Sequence, residues 1–252
     1  MQKIHHYLRS FRAYFNYIPE KLSTPVSVIL GAVIIASSII AYGFIIRPDS
    51  SSGTALTFAG KPIDSSDYVE GSTKNDVFVV EYSDTECPYC ILASPTLKQL
   101  RQEYGDRIAF VYRHFPLTQI HPNARDESRA ITCAGIVGGT KKYYEYVDAL
   151  FGYKLPLQTQ TNPSPQLPAA GKEDLAKGIG LDATQFSACM SNNLAGDIVD
   201  ASTTDGIAAG VDGTPMTFVL VKNRKGYDIV ATVSGAQSYD YFKAAVDEAL
   251  SK

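Results

Sequence analysis

The segment "VFVVEYSDTECPYC", residues 77–90, constrains the chain more than any other stretch. Its first half, "VFVVEYS", is a short apolar, β-branched run of the kind that forms a buried strand. From Pro88 the period changes, and Leu92, Thr96, Leu97, Leu100 and Tyr104 recur at helical spacing as far as Gly105, a C-terminal signal. "RIAFVYRHFP", 107–116, reads as a second strand. Strand, helix and strand in so short a span predict a right-handed βαβ unit with parallel strands. Cys87 stands at the joint, and Pro88 fits the first helical position, where a missing N–H costs nothing. Pro95, further along the same helix, predicts a kink.

The rest of the chain completes an α/β pattern. "HPNARDESRAITCAGIVGG" and "KKYYEYVDALFGY" predict two helices, and the Pro- and Gln-rich 154–171 predicts a surface loop. "KEDLAKGIGL", "DATQFSACMSN" and "LAGDIVDASTTDGIAAG" predict further short helices. "MTFVLVKNRKGYDIVATVSG", 216–235, predicts a hairpin turning at "KNRKG", and "SYDYFKAAVDEALSK" an amphipathic closing helix. The order is βαβ, a helical block over about 121–210, then ββα.

Cysteine at that joint has a specific chemistry. A sulfur at a helix N-terminus meets unpaired N–H groups and the positive end of the helix dipole, which stabilise a thiolate. Cys90, one turn further in, is placed to attack a mixed disulfide from inside. The pair then reads as an exposed nucleophile, Cys87, and a shielded resolving thiol, Cys90. Zinc is the competing reading, but Cys133 and Cys189 are isolated and no second CxxC exists, so no metal and no cofactor is expected. A purely structural CxxC disulfide closes too small a loop to stabilise much. Glu81, six residues before Cys87 in an apolar strand, is either a surface carboxylate or a buried one that exchanges a proton with Cys90. Thr214-Pro215 immediately precedes a strand. A trans bond is the default there, but a cis bond would put bare backbone beside a disulfide.

The N-terminal part has a different character. Residues 25–46, "PVSVILGAVIIASSIIAYGFII", carry no charge and would span about 33 Å as a helix, against a hydrocarbon core of about 30 Å. A cleaved signal peptide would have a shorter apolar region and a small-x-small cleavage site. Lys3, Arg9, Arg12 and Lys21 precede the span, and Arg47 alone follows closely. The positive-inside rule then leaves 1–24 in the cytosol as a basic, aromatic segment and carries 47–252 outside the cell membrane. The domains expected are that segment, a transmembrane anchor at 25–46, a linker at 47–57, and a domain at 58–252. His5 and His6 read as a solvated flank. A formal net charge of −3 gives no basic field for nucleic acid.

Over about residues 60–250 the chain resembles the thioredoxin superfamily, and within it the DsbA-like thiol:disulfide oxidoreductases with a helical insertion. The resemblance rests on "VVEYSDTECPYC", on "YGDRIAFVYRHFPL", on the helical block and on "GVDGTPMTFV". It implies a thioredoxin fold with a central mixed sheet. Cys87 would be the nucleophile, Cys90 the resolving thiol, Pro215 the cis proline and Glu81 the buried acid. Thr214 would offer backbone to substrate, with Pro88 and Tyr89 also in contact. His114 falls in the subgroup's "RHFPL" and reads as a satisfied structural histidine. Pro-Tyr replaces the Pro-His of the strongest oxidases, which removes a source of positive charge near the thiolate, and tryptophan is absent.

Pairing within CPYC leaves Cys133 with Cys189, as a structural disulfide, a redox-active pair or two buried free thiols. The function expected is disulfide donation to thiol-containing exported proteins during their folding, with a DsbB- or VKOR-like membrane reoxidant as partner. The alternatives are an isomerase or reductase of the same fold, and a non-catalytic peptide-binding domain. Dimeric isomerases carry an N-terminal dimerisation domain, and the short stretch between the anchor and the first core strand has no room for one.

Overall fold

The structure, a computed structural model, describes residues 56–168 and 170–252. The basic segment 1–24, the anchor 25–46 and the linker 47–57, except its last two residues, lie outside the described residues. Those last two are paired: Leu56 O accepts from Ile229 N at 2.7 Å and Thr57 bridges Asp228, so the chain joins the sheet before residue 58. Among the described residues no helix is long and apolar enough to cross a membrane.

A five-stranded mixed sheet organises the domain. Its strands are β1 (Val69–Gly71), β2 (Val77–Ser83), β3 (Ala109–His114), β4 (Met216–Asn223) and β5 (Gly226–Ser234), in the order β1-β3-β2-β4-β5. β2 and β3 run parallel, as the βαβ reading requires, and the other neighbours are antiparallel. Every residue of β2 and β3 is buried, which explains their continuous apolar character. The helices are α1 (Pro88–Tyr104), α2 (Ala124–Lys154), α3 (Gly171–Gly178), α4 (Ala183–Met190), α5 (Leu194–Ala208) and α6 (Tyr239–Leu250). This is the expected thioredoxin-like α/β fold, with α2–α5 forming the helical insertion.

One face of the sheet presents Val77, Val79, Phe110, Tyr112, Val219 and Val233 to α1, α6 and the insertion, in a single core. The other face packs Phe78, Val80, Tyr82 and Phe218 against Phe58 and Phe115. β1 was not read as a strand in the sequence, because three residues carry no detectable alternation. It covers β3 only as far as Val111. Beyond it the side chains of α2 take over: Tyr144 Oη lies 2.9 Å from Phe110 O and 3.2 Å from Tyr112 N, and Tyr143 Oη donates to Tyr112 O at 3.0 Å.

Leu97, Leu100 and Tyr104 of the predicted stripe are buried, joined by Cys90 and Ile91, whereas Leu92 is half exposed. Pro95 lies within α1, which continues through it to Tyr104. Ser94 Oγ donates to Ile91 O at 3.0 Å, the carbonyl that Pro95 leaves without an N–H. The two helices read over 121–153 are the halves of α2, divided at Gly139 (φ 72°, ψ −171°), a conformation essentially reserved for glycine. An ion pair with no exposed surface to speak of ties the two ends of α2: Lys154 Nζ to Glu127 Oε2, 2.7 Å.

Candidate active site

The run "SDTE" between strand and cysteine looks like an exposed polar turn, yet Ser83, Asp84, Thr85 and Glu86 are all fully buried. Most of their polar groups are satisfied locally. Asp84 Oδ1 accepts the N–H of Glu86 at 2.7 Å and of Cys87 at 3.2 Å. Thr85 Oγ1 donates to Ala124 O at 3.4 Å, and Glu86 Oε2 accepts Asn123 N–H at 2.6 Å. These contacts fix the turn that delivers Cys87 to the start of α1. The loop after α2, the expected surface loop, also grips this turn. Gln158 Nε2 donates to Pro88 O at 3.0 Å, and Ser164 Oγ bonds to Glu86 O at the other side of Cys87.

Cys87 is the N-cap residue of α1, with Pro88 in the first turn. Both cysteines are free thiols. Cys87 was expected to be exposed. It retains only 4% of its surface, and Tyr89 at 61% is the open residue of the motif. The thiol donates to Thr214 O at 3.2 Å, and the Thr214-Pro215 bond is cis. The Cys90 thiol beside it does most to draw Cys87 down to about 6. Burial opposes this, and the Thr214 side chain and the backbone N–H groups of Cys90 and Tyr89 assist. Cys90 has no exposure, and burial first, then Cys87, pushes it well above the ordinary thiol range. Asp84 N–H points at its sulfur, 3.4 Å away. The two sulfurs are therefore unequal, one ready to be a thiolate and the other a shielded thiol.

Glu81 is buried on the cysteine side of the sheet, opposite Tyr112 on β3 and Thr217 on β4. Burial lifts it to about 7, against smaller opposing effects of Ser83 and Arg101. The surface reading of Glu81 is thereby excluded. A cavity of about 10 Å³, the size of one water, opens beside it between Ser94, Arg101 and Tyr112. Ser83, which sequence reasoning passed over, lies close enough to lower both Glu81 and Cys90 while its hydroxyl forms no settled hydrogen bond.

His114 is only half satisfied. Its Nε2 faces Thr132 Oγ1 at 3.0 Å and Tyr143 Oη at 3.1 Å, whereas Nδ1 has no partner. Burial lowers it to about 3, so it is neutral in the folded chain. Cys133 of α2 and Cys189 of α4 are joined in a disulfide across 56 residues of sequence, which rules out two free thiols. Among the described residues no cluster of His, Cys, Asp or Glu has the arrangement of a metal site.

Comparison with known proteins agrees with this geometry. In sequence, the chain is 30% identical over 189 residues to a Na(+)/H(+) antiporter NhaA 1 of Mycobacterium sp. (strain KMS), a match covering 72% of this chain and 27% of that protein. The chain thus spans about a quarter of the length of the curated relatives it matches. In structure, Wolbachia pipientis alpha-DsbA1 superposes with a TM-score of 0.62 at 19% identity, covering 75% of this chain and 94% of that one. At that identity the likeness is one of fold. Pseudomonas aeruginosa DsbA2 gives 0.55 at 25% identity, covering 75% and 96%. Residues 78–247 match the family described as DSBA-like thioredoxin domain. The chain belongs to this family of DSBA-like thioredoxin domains.

Proposed function

We propose that this chain is a membrane-tethered, extracytoplasmic disulfide donor acting through Cys87 and Cys90. The observation that carries the reading is the inequality of the two sulfurs, Cys87 drawn down to about 6 and Cys90 pushed well up. A reduced form that holds a stabilised thiolate is favoured over the disulfide, which is what makes a dithiol pair oxidising.

In the oxidised state a client thiolate attacks Cys87 Sγ. The Cys87–Cys90 bond breaks, and Cys90 leaves with the electron pair and takes a proton, with Glu81 as the buried donor. The mixed disulfide lies beside Thr214 and Pro215, with Pro88 and Tyr89 on its other side. A second client thiolate then attacks the client sulfur and releases Cys87 as its thiolate. The client has lost two electrons and the CPYC pair has gained them. A DsbB- or VKOR-like membrane partner removes them. The Cys133–Cys189 bond is structural in this reading, since both sulfurs sit within the core of the insertion.

The test is the reduction potential of the full chain in detergent, equilibrated against glutathione and read by thiol alkylation. A value near about −120 mV marks a disulfide donor, and one near about −270 mV a reductant. Cysteines in the CPYC motif that stay unreactive after mild reduction mark a static peptide-binding domain instead. The anchor is tested by whether the chain stays with membranes after an alkaline carbonate wash.

A further inference from the structure

The Asp84 carboxylate has no exposed surface, and three backbone N–H groups and the His121 Nδ1 atom aim at it. Besides Glu86 and Cys87 on Oδ1, Oδ2 accepts Leu117 N–H at 2.7 Å and faces His121 Nδ1 at 2.9 Å. Donors on every side and no competing acceptor is the pattern around an ionised carboxylate. His121 Nδ1 therefore carries a proton, and Nε2 is the nitrogen left to gain or lose one. The His121 side chain keeps 13% of its surface while Asp84 keeps none, so the imidazole links this buried charge to solvent.

Asp84 touches both halves of the redox pair. Its carboxylate binds Cys87 N–H at 3.2 Å, and its own N–H points at Cys90 Sγ at 3.4 Å. A buried negative charge so close opposes a second one on the Cys87 sulfur. Pro88 and Tyr89, between the cysteines, carry no charge to offset it. An imidazolium against Asp84 does.

We propose that His121 is a positioning residue of the redox reaction: held on Asp84, it fixes the turn that carries Cys87, and its imidazolium form offsets the Asp84 charge felt by the Cys87 thiolate. The other charged or titratable groups facing the pair are Glu86 of the same turn, Cys87 and Cys90 of α1, and Tyr112 of β3. Glu127 of α2, next to Glu86, is paired with Lys154. Cys87 is itself drawn down to about 6, so its sulfur has to be followed directly.

The inference rests on Cys87 being the attacking thiol, and the experiment separates the two readings. Thiolate absorbance and site-mapped alkylation are recorded over about pH 4–9 for the full chain, His121→Ala and His121→Gln, together with each protein's equilibrium with glutathione. Glutamine keeps a donor for Asp84 but has no charge to give. Both variants are expected to move the Cys87 curve to higher pH and to weaken oxidation of glutathione about fivefold, the effect of one partly screened charge. A Cys87 curve unmoved in both variants overturns this inference alone. A His121→Gln protein that titrates like the wild type while His121→Ala does not removes the charge from the argument and also overturns it. A wild-type low-pH thiolate that maps to a sulfur other than Cys87 overturns both readings.

Discussion

Cys87 Sγ and Thr214 O lie 3.2 Å apart across 127 residues of sequence. The bond exists only while the sulfur holds its proton. Once Cys87 is a thiolate or part of a disulfide, the Thr214 carbonyl loses this donor. The state of the sulfur thus decides whether the neighbouring carbonyl is paired.

Alkylation should report this ionisation. With Cys87 lowered to about 6, its reaction with iodoacetamide is expected to rise with pH through a midpoint near that value and to be nearly level at neutral pH. Cys90 should stay silent across the range. Cys87→Ser should abolish exchange, and Cys90→Ser should trap the mixed disulfide with a client. Full client oxidation by the Cys87→Ser protein would sink the mechanism.

Glu81 makes stability depend on pH. Its folded value of about 7 lies above the ordinary 4.5, so the folded chain binds the proton more tightly than the unfolded one. Stability is present below the unfolded value and is lost as pH rises through the folded value. Glu81→Gln should therefore be more stable than wild type by ~2–3 kcal/mol above about pH 7, and no more stable below about pH 4. Urea unfolding at a series of pH values measures the difference, and parallel curves would refute the buried-acid assignment.

The ion pair across α2 should behave as a buried pair does. Lys154→Met leaves Glu127 buried and uncompensated beside Glu86 and is expected to cost about 3–5 kcal/mol. Adding Glu127→Leu should return most of that loss, because the pair's attraction mainly offsets its own desolvation. A double-mutant cycle by denaturant unfolding checks this. A double variant as unstable as Lys154→Met would mean that the pair contributes a net gain of its own.

The second disulfide closes a loop of 56 residues, for which chain-entropy reasoning gives about 4 kcal/mol. The variant with both Cys133 and Cys189 as serine should lose stability of that order while Cys87 titrates as before. If selective reduction of this bond changes the exchange rate at Cys87, the bond regulates the site and is not merely structural.

What was legible in the sequence was whatever leaves a period or a punctuation mark. β2, α1 and β3 showed through continuous apolar runs and a change of spacing at Pro88, and CPYC at that joint pointed to its chemistry. Leu92 misled because an apolar residue at helical spacing does not reveal the helix's phase. Asp84 and His121 were invisible for another reason. A side chain that bonds to a backbone N–H 33 residues away and to another side chain 37 residues away follows no repeat, and a polar run such as "SDTE" looks the same whether solvated or internally satisfied. Gln158 and Ser164 were hidden likewise in a stretch whose composition says only that it is irregular.

The hydroxyls of Tyr143 and Tyr144 have a consequence for how the sheet meets other chains. An extended chain pairs with any open sheet edge, and β3 beyond Val111 would offer one. Two tyrosines from the insertion occupy that edge with groups no strand can extend. That side of the sheet is thereby closed to strand addition and to aggregation along its edge.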